Sequence, residues 1–425
     1  MNDNNIHVAV VADDLTGAAD TGVQFCSVAE PFDLLPWQPR EWSGGFSGAV
    51  KGLAVFTNSR HDSPPAAARK VRRVADLIRR HAPRVVYKKI DSCLRGNLGS
   101  EIDALLESLE CPVSFIAPAL PGQERTTEND VHRVRGVPVA ESEIALDPLC
   151  PVSESRLSRL LAAQSRYPVG RVGLEDVAAG SERLRAAIGS RMAEGCRHIA
   201  FDATETVHLD AIAAAATRFF TGALLVGSAG LAASQASWLG EKTRTLASLP
   251  TRRLQRMLWV CGSATTVSLR QAEALRDRSV VAPIVLPAAM LADAESASGR
   301  KGFVDQVIAG WSQGVRMILI EPLGKGPHAD PALVVAGLGA IVADIVRLTS
   351  PEGLFLTGGD TAEAVWRCLG AAAIRLEGEV LPGVIRGRWI GGAMNGGTVI
   401  TKAGAFGDPE TLLNLYSQSV RGVTQ

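Results

Sequence analysis

The sequence predicts an α/β protein built from two domains, each with a mostly parallel sheet covered by helices. Short apolar runs alternate along the chain with amphipathic stretches of about 10 to 18 residues, which is the pattern of repeated strand–helix units. The chain has 425 residues, more than one ordinary hydrophobic core organises. A polar stretch near the middle separates two such alternating halves.

Strands and helices alternate from the start of the first half. The apolar runs that predict strands cover residues 7–11, 52–56, 84–87, 113–117 and 198–202. Helical periodicity lies between several of them, at residues 66–80 and 100–109. Proline and glycine punctuate residues 36–48, where we expect a surface loop.

The pattern restarts after a polar stretch at residues 239–253. We therefore expect one domain at 1–245 and a second at 246–425. Strands of the second domain are predicted at residues 258–260, 316–320, 353–357 and 397–401. Its helices are predicted at residues 268–275, 331–348 and 361–369, and a terminal piece follows at residues 408–416.

Composition and charge exclude several classes of protein. Hydrophobic residues make up 46% of the chain and charged residues 21%, so the chain is neither disordered nor fibrous. The 44 basic and 44 acidic residues cancel, which leaves no overall attraction for nucleic acid or an anionic membrane. A bound anion must therefore be held by a local cluster of cations.

Targeting and metal-binding signals are missing from the sequence. The polar residues 1–5 lead directly into the first strand, unlike a secretory signal peptide. No run approaches the roughly 18 apolar residues of a membrane span. The seven cysteines form no C-x-x-C pair and the seven histidines no H-E-x-x-H, so we expect reduced thiols and no protein-bound transition metal. These features predict a cytoplasmic protein.

Polar side chains follow three predicted strands of the first half. Asp13 and Asp14 follow the first, Arg60 follows the second, and the segment 88–97 (KKIDSCLRGN) follows the third. In an open α/β sheet, ligands bind outside the carboxyl ends of the strands. Carboxylates accept hydrogen bonds from hydroxyl groups, and the arginine fork fits a carboxylate. We therefore expect a site for a small, anionic, hydroxyl-rich molecule.

Each of these segments also has a purely structural explanation. Of Asp13 and Asp14, one suits a helix N-cap and the other a solvated side chain. A single arginine is more often an ordinary surface residue, and residues 88–97 suit a solvated loop with an N-cap and ion pairs. The convergence of all three on strand ends favours the binding site.

Three glycine-rich turns follow strands of the second half, at residues 261–265 (CGSAT), 357–362 (TGGDTA) and 401–407 (TKAGAFG). Glycines let backbone N–H groups approach phosphate oxygens, and a helix N-terminus adds a partial positive charge. One turn carries a lysine and another an aspartate that suits water-mediated Mg²⁺ binding, so the set indicates a nucleoside triphosphate site. The P-loop, dinucleotide and protein-kinase motifs are absent.

An ordered series of motifs resembles the four-carbon acid sugar kinases, which phosphorylate threonate, erythronate or 3-oxo-tetronate with ATP. The main motifs are residues 12–17 (ADDLTG), 58–60 (NSR), 89–97 (KIDSCLRGN) and 358–362 (GGDTA). The likeness extends to residues 117–119 (APA), 136–139 (GVPV), 147–149 (DPL) and 227–231 (GSAGL). Cys93, Thr265 and Ala403 depart from the family pattern, in which Thr, Ser and Ser are usual.

The resemblance implies a substrate-binding N-terminal domain, a nucleotide-binding C-terminal domain and an active-site cleft between them. Its substrate-binding positions are Asp14, Arg60, Lys89, Ile90, Asp91 and Ser92. Its ATP-binding positions are Ser263, Gly358, Gly359, Asp360, Thr361 and Gly404. Mg²⁺ is the expected companion of ATP, and no residue is assigned to it as a direct ligand.

Phosphoryl transfer needs positioning and charge neutralisation more than covalent chemistry. We expect Arg60 and Lys89 to hold the substrate carboxylate, while Asp14 and Ser92 bind its hydroxyls. Asp91 is the candidate for orienting the terminal hydroxyl or accepting its proton. Arg95 is the candidate for neutralising the transferred phosphoryl group, or alternatively for bracing the loop.

Two other classes of function compete with the kinase. A sugar-acid dehydrogenase would need a dinucleotide motif or a metal cluster, and neither occurs in the sequence. A sugar-acid-binding regulator or receptor suits two α/β domains but needs no glycine-rich phosphate turns. A homodimer is the default expectation for assembly.

Overall fold

The computed structural model describes residues 6–26, 29–38, 50–147, 149–240, 256–277, 282–287, 297–312, 317–323 and 330–421. The chain divides into two compact units, Met1–Thr243 and Arg244–Gln425. The predicted domain boundary after residue 245 and most of the predicted loop at 36–48 lie outside the described residues.

The first unit contains a parallel sheet and a small antiparallel one. Its strands are β1 (Val8–Ala12), β2 (Phe32–Pro36), β3 (Gly52–Phe56), β4 (Val85–Lys89), β5 (Ser114–Ala117), β6 (Arg125–Glu128), β7 (Val131–Val134), β8 (Val137–Pro138), β9 (Val169–Val172), β10 (His198–Phe201) and β11 (Leu224–Gly227). The order β2-β3-β1-β4-β11-β5-β10-β9 is parallel at every pair. Strands β6, β7 and β8 form the antiparallel sheet.

Helices cover the parallel sheet of the first unit. They are α1 (Leu15–Gln24), α2 (Pro64–His81), α3 (Leu98–Ser108), α4 (Leu157–Gln164), α5 (Leu174–Ala178), α6 (Ser181–Ala193), α7 (Thr206–Phe219) and α8 (Ala229–Trp238). Strands β1 and β3 are buried at every position, as expected for parallel strands with helices on both faces.

The second unit contains a mixed sheet. Its strands are β12 (Met257–Cys261), β13 (Ala282–Pro287), β14 (Met317–Leu323), β15 (Gly353–Thr357), β16 (Ala373–Leu381), β17 (Val384–Ile390) and β18 (Thr398–Lys402). Its helices are α9 (Thr266–Asp277), α10 (Ala297–Ser312), α11 (Pro331–Thr349), α12 (Gly359–Leu369) and α13 (Thr411–Arg421). The order is β13-β14-β12-β15-β18-β17-β16, parallel up to β18 and antiparallel beyond it.

The predicted fold class, two α/β domains with mostly parallel sheets, is confirmed. One boundary near the predicted site differs. Strand β4 extends to Lys89, so Lys88 and Lys89 belong to the strand and only residues 90–97 form the turn. The hairpin of β16 and β17 was not predicted, because its polar and apolar residues alternate without a long apolar run.

Helix α11 corrects one expectation from the sequence. Within the described part of the chain it is long and apolar enough to cross a membrane, with a mean hydropathy of 1.9. The prediction that no stretch reaches this length was therefore wrong. Half of the apolar stretch is buried inside the protein, with Leu338, Ile341 and Val342 at 1% exposure or less. Its length and composition also suit a core helix of a globular domain.

Candidate functional site

The polar segments of the first unit meet at one edge of its parallel sheet. Strand β1 lies between β3 and β4, with Ala12 opposite Phe56 and Val11 opposite Lys88. The residues that follow these three strands therefore emerge side by side. The structure thus brings together the predicted site residues Asp14, Arg60 and 89–92.

Arg60 is the centre of this cluster. Its Nε donates to Asp13 Oδ2 at 2.6 Å, and its Nη2 lies 3.1 Å from Asp14 Oδ1 and 3.9 Å from Asp91 Oδ1. Burial alone would lower the pKa of Arg60, but the three carboxylates raise it well above its ordinary value. Arg60 is therefore held as a cation at every physiological pH.

Asp13 takes the shortest of these contacts, although only Asp14 was predicted from the sequence to bind substrate. Asp13 is 4% exposed. Burial alone would raise the pKa of its carboxyl, yet Arg60, Lys88 and Lys89 hold that pKa below the usual value. The signal that finds Asp13 is the Asp-Asp pair itself, since one of the two aspartates caps the next helix.

Asp14 is that helix cap. Its Oδ1 accepts from the backbone N–H of Gly17 at 3.0 Å, and its Oδ2 accepts from Thr16 Oγ1 at 2.8 Å. One aspartate of the pair is therefore a helix N-cap, as the structural explanation holds, but the other, Asp13, is buried and not solvated. The Asp14 carboxylate also contacts Arg60. The two roles coexist because a carboxylate offers about four acceptor positions.

Asp91 and Arg95 form a second ion pair within the turn after β4. Arg95 Nε donates to Asp91 Oδ2 at 2.8 Å and its Nη2 to Oδ1 at 3.2 Å, and Arg95 Nη1 donates to Asp147 Oδ2 at 3.1 Å. Burial alone would raise the pKa of Asp91, but Arg95 and Arg60 hold it far below its usual range. The Asp91 carboxylate is therefore ionised and geometrically locked. The sequence did not assign Asp147 a role.

Lys88 and Lys89 point to opposite faces of the sheet, because side chains alternate along a strand. Lys88 Nζ pairs with Glu101 of α3 at 2.8 Å. Lys89 Nζ donates to the carbonyl of Ile90 at 2.8 Å. Lys89 Nζ also lies close to Gly17, since a methyl group on that glycine would be 3.0 Å from the Lys89 nitrogen. Within the described ranges, Lys89 pairs with no carboxylate. Lys89 is 5% exposed, and its ammonium group has three donors, of which one is used by the Ile90 carbonyl.

The small antiparallel sheet supports the turn at Ser92. His132 of β7 has its Nε2 2.8 Å from the Ser92 carbonyl and its Nδ1 2.9 Å from Thr127 Oγ1. Because a carbonyl only accepts, Nε2 carries the proton and Nδ1 accepts from the threonine. Burial lowers the pKa of His132 to about 4. The neutral imidazole therefore connects the small antiparallel sheet to the predicted substrate-binding turn. The sequence did not predict this connection.

Two further contacts hold the turn. The backbone N–H of Ile90 donates to the Gly227 carbonyl at 3.0 Å, so Ile90 joins the neighbouring strand β11. Asn97 Nδ2 donates to the carbonyls of Ser59 and Asp62 at 3.0 and 2.9 Å. Gly96 has a φ of +99°, a conformation that glycine adopts without strain.

In the second unit, the three glycine-rich turns also meet at one edge. Strands β12, β15 and β18 are neighbours, with Cys261 opposite Thr357 and Thr357 opposite Lys402. The predicted nucleotide-binding positions Ser263, Gly358–Thr361 and Gly404 follow the carboxyl ends of these strands. The structure therefore brings them together.

Glycine is required at two places because the turns approach so closely. A methyl group on Gly404 would lie 2.1 Å from Ser263 Oγ. Gly358 has a φ of +98° and lies against Ser263, with no side chain capping the start of α12. The start of α12 is thus a helix N-terminus without a side-chain cap, a place where proteins commonly bind anions.

Hydroxyl groups fasten the turns to one another. Thr265 Oγ1 and Ser268 Oγ both donate to the Gly404 carbonyl at 2.8 Å. Lys402, whose turn had suggested a phosphate contact, instead turns inward. Its Nζ donates to the carbonyls of Ala403 and Phe406 at 2.9 and 3.0 Å, and burial lowers its pKa to about 8. Lys402 thus stabilises the turn from inside.

The donor set suits Mg²⁺ held mainly by a nucleotide. No group of three or more His, Cys, Asp or Glu side chains suited to a metal occurs in the described parts of the chain. Asp360 is an exposed carboxylate in the first turn of α12. Mg²⁺ is commonly bound through one or two carboxylates, waters and substrate phosphates, so one aspartate beside the phosphate-binding turns is compatible with it.

Comparison with known proteins shows relatives along nearly the whole chain. Residues 8–235 match a family described as a sugar-binding N-terminal domain, and residues 258–412 one described as a nucleotide-binding C-terminal domain. The chain is 34% identical to the D-threonate kinase of Salmonella typhimurium, over 95% of this chain and 96% of the relative. It is 29% identical to the D-erythronate kinase of Heliobacterium modesticaldum, over 95% of each.

A third relative and one solved structure complete the comparison. The 3-oxo-tetronate kinase of Brucella melitensis is 25% identical over 95% of this chain and 94% of its own. A crystal structure from Salmonella typhimurium superposes with a TM-score of 0.79 at 22% identity, over 96% of this chain and 98% of that one, which supports the fold. On the family matches and the full-length relatives, the chain belongs to the four-carbon acid sugar kinases, a family of phosphotransferases.

Proposed function

We propose that this chain phosphorylates the terminal hydroxyl of a four-carbon acid sugar, using ATP and Mg²⁺. D-threonate is the first candidate substrate, because the relative at 34% identity is a D-threonate kinase. The observation that carries the proposal is the position of Lys89. This buried cation has no carboxylate partner in the described chain and lies beside carboxylates that suit sugar hydroxyls.

Lys89 and Arg60 are proposed to bind the substrate carboxylate. Two of the Nζ donors of Lys89 remain after its contact with Ile90. Arg60 already directs Nε and Nη2 toward aspartates. Its guanidinium is therefore shared between these aspartates and the substrate carboxylate. Lys89 is therefore the main anion-binding group.

The hydroxyl-binding positions are Asp14, Asp91 and Ser92, with Ile90 contributing its carbonyl, because its N–H already donates to Gly227. Both Asp91 oxygens already accept from Arg95, yet each carboxylate oxygen has two acceptor positions. A strongly lowered pKa opposes proton uptake by Asp91 in the ground state. We therefore assign Asp91 to orienting the terminal hydroxyl rather than to accepting its proton early.

Arg95 is proposed to brace the loop. Its Nε, Nη1 and Nη2 all contact carboxylates, which supports the bracing alternative over direct contact with the transferred group. Arg95 then acts on catalysis by holding Asp91 in place.

The nucleotide is proposed to bind at Ser263, Gly404 and the start of α12, residues 358–361. The backbone N–H groups of this turn suit phosphate oxygens. Mg²⁺, when bound, would neutralise charge on the β and γ phosphates, and Asp360 is the residue of this chain placed to support it through water.

The experiment is an ADP-release assay with ATP, Mg²⁺ and a panel of D- and L-threonate, D- and L-erythronate and 3-oxo-tetronates. The expected result is ADP release dependent on one acid sugar and on Mg²⁺. Thermal stabilisation by a sugar, without stabilisation by ATP and without turnover, would favour a sugar-acid-binding receptor instead. Reduction of NAD with any acid sugar would favour a dehydrogenase.

A matched pair of variants tests the anion-binding role. Lys89→Met should raise the KM for the acid sugar by about 10- to 100-fold, as expected for loss of a buried charge-assisted contact. Lys301→Met removes a lysine that is 74% exposed in the second unit and should leave both KM values unchanged. Equal KM values for the sugar in wild type and Lys89→Met would remove Lys89 from the site.

Location and assembly complete the proposal. ATP is a cytoplasmic metabolite, so we place the enzyme in the cytoplasm. A homodimer remains the expected assembly, and light scattering of the purified chain measures it directly.

A further inference from the structure

A buried ion pair lies directly behind the proposed substrate-binding edge. Lys88 Nζ of β4 and Glu101 Oε2 of α3 are 2.8 Å apart, and their side chains are 1% and 2% exposed. Neither is among the proposed substrate contacts. A buried pair of charges rarely stabilises a fold more than well-packed apolar residues would, so its presence here calls for another explanation.

The pair is hydrogen-bonded to the chain segments on both sides of the site. Glu101 Oε1 accepts from Ser59 Oγ at 2.6 Å. Lys88 Nζ donates to the carbonyl of Lys89 at 2.7 Å. Ser59 immediately precedes Arg60, and Lys88 immediately precedes Lys89. The pair therefore connects the chain segments that carry both proposed carboxylate-binding cations.

Ser59 extends this connection to two other parts of the site. Its backbone N–H donates to the Asp13 carbonyl at 3.1 Å, and its own carbonyl accepts from Asn97 Nδ2 at 3.0 Å. Thr57 Oγ1 lies 2.6 Å from Ser59 Oγ. The ends of β1, β3 and β4 and the start of α3 thus meet at one buried network.

We propose that Lys88 and Glu101 are positioning residues that set the spacing of Arg60 and Lys89 for the acid-sugar carboxylate. This inference rests on the proposed function. Sites of this kind need their groups held to within roughly half an ångström, and a buried, fully bonded ion pair at the junction of three strands supplies that rigidity. The pair acts through the backbone of its neighbours and does not touch the substrate.

The test separates fold stability from substrate affinity. Glu101→Gln leaves Lys88 without its anion and should lower the thermal midpoint by about 6–12 °C. The double variant Lys88→Met with Glu101→Met replaces the pair by apolar side chains of similar length and should recover the midpoint to within about 3 °C. Both variants should bind the acid sugar about tenfold more weakly by calorimetry, with ATP affinity and kcat close to wild type.

A matched control lies on the same helix. Asp103 of α3 forms a second buried pair, with His198 Nε2 at 2.7 Å, at the end of the sheet opposite the site. Asp103→Asn should lower the thermal midpoint and leave acid-sugar affinity unchanged. A general loss of stability would weaken sugar binding in this variant as well, and such a loss would contradict the proposal.

Two results would overturn the inference. The first is a double variant whose thermal midpoint and acid-sugar affinity both return to the wild-type values. The ion pair would then be purely structural. The second result concerns Ser59→Ala, which decides if the double variant does not fold. This substitution keeps the ion pair and removes its link to the Arg60 segment, together with the contact to Thr57. We expect about three- to tenfold weaker sugar binding; unchanged affinity rejects positioning. Absence of acid-sugar binding by the wild type would instead contradict the proposed function itself.

Discussion

At the scale of residues, the arrangement of charges decides what each side chain can do. Three aspartates surround Arg60, and Arg95 is held between Asp91 and Asp147. Arginine suits these positions because its planar fork binds carboxylates at two points. Lys89 keeps its spare donors because it lies on the opposite face of β4 from the Lys88–Glu101 pair. Among the described residues of this cluster, Lys89 is therefore a cation without a carboxylate oxygen within 4 Å, and we propose that it binds the charged ligand.

Asp91→Asn tests the assignment of the orienting group. The amide keeps the shape but loses the charge that Arg95 and Arg60 surround, so the terminal hydroxyl would lose a strong acceptor. We predict a fall in kcat of about 10²- to 10³-fold with ATP affinity nearly unchanged, measured by steady-state kinetics and nucleotide titration. The control is Asp176→Asn, which removes an ion pair with the exposed Arg183 far along the chain. Loss of ATP binding with retained turnover would reverse the assignment.

At the scale of elements, the ends of parallel strands create both candidate sites. Strands β1, β3 and β4 collect the sugar-site residues, and β12, β15 and β18 collect the nucleotide-site residues. Sequence patterns place each polar segment after a strand, and the adjacency of the strands places the segments together. The pattern did not show where β4 ends, because Lys88 and Lys89 look like turn residues until burial and pairing reveal them as strand.

Gly404→Ala tests the close approach of the nucleotide turns. The added methyl group would lie 2.1 Å from Ser263 Oγ and 3.0 Å from its Cβ, so the turns must separate. We predict about tenfold weaker ATP binding with unchanged acid-sugar affinity, measured by calorimetry. Gly302→Ala in α10 is the control, since its methyl group would meet nothing within 4 Å. That variant should be as stable as wild type or slightly more so.

The link between the small antiparallel sheet and the substrate turn predicts a response to acid. Burial lowers the pKa of His132 from 6.5 to about 4. Between these pH values, His132 is protonated in the unfolded chain but neutral in the native chain. The stabilisation is complete above pH 6.5 and is lost as the pH falls toward 4, by roughly 3 kcal/mol.

Calorimetry across that pH range measures the loss. His132→Gln keeps a donor for the Ser92 carbonyl without a titrating ring, so its stability should fall less steeply than that of the wild type over the same interval. Identical slopes for the two proteins would show that other groups cause the acid sensitivity.

At the scale of the whole molecule, the two candidate sites lie in different units. The polar groups proposed to bind the acid sugar lie in the unit Met1–Thr243, and the glycine-rich turns proposed to bind the nucleotide lie in the unit Arg244–Gln425. Each site is built from the carboxyl ends of its own sheet, as in other open α/β folds. The family matches to a sugar-binding and a nucleotide-binding domain follow the same division.

Hydrogen exchange on the full chain tests this division. The acid sugar alone should slow exchange at residues 13–17 and 88–97, and ATP with Mg²⁺ alone should slow it at residues 358–362 and 403–407. Ligands protect the amides that they contact or order. Protection of residues 88–97 by ATP alone, without any effect at 358–362, would contradict the assignment of the nucleotide to the second unit.

The sequence by itself determined the α/β class, the strand–helix order and the family, because these depend on local periodicity and on motifs that are contiguous in the chain. It also placed Asp14, Arg60 and residues 89–92 in one set, since all follow strands. Only the tertiary structure decided which charges pair. The three carboxylate partners of Arg60 lie 31 or more residues away in the chain, and the Ser92 carbonyl lies 40 residues from His132. Lys88 of β4 meets Glu101 of α3, on the next element of the chain.

Such pairings depend on strand register, on which face of a strand a side chain occupies, and on burial, and none of these is written in local sequence. Asp13 rather than Asp14 takes the shortest contact with Arg60, and Lys402 turns inward, for the same reason. The physical cause is that a buried charged side chain adopts the conformation that brings it to a group of opposite charge or to a carbonyl. Only the folded chain determines which of these groups lie close enough.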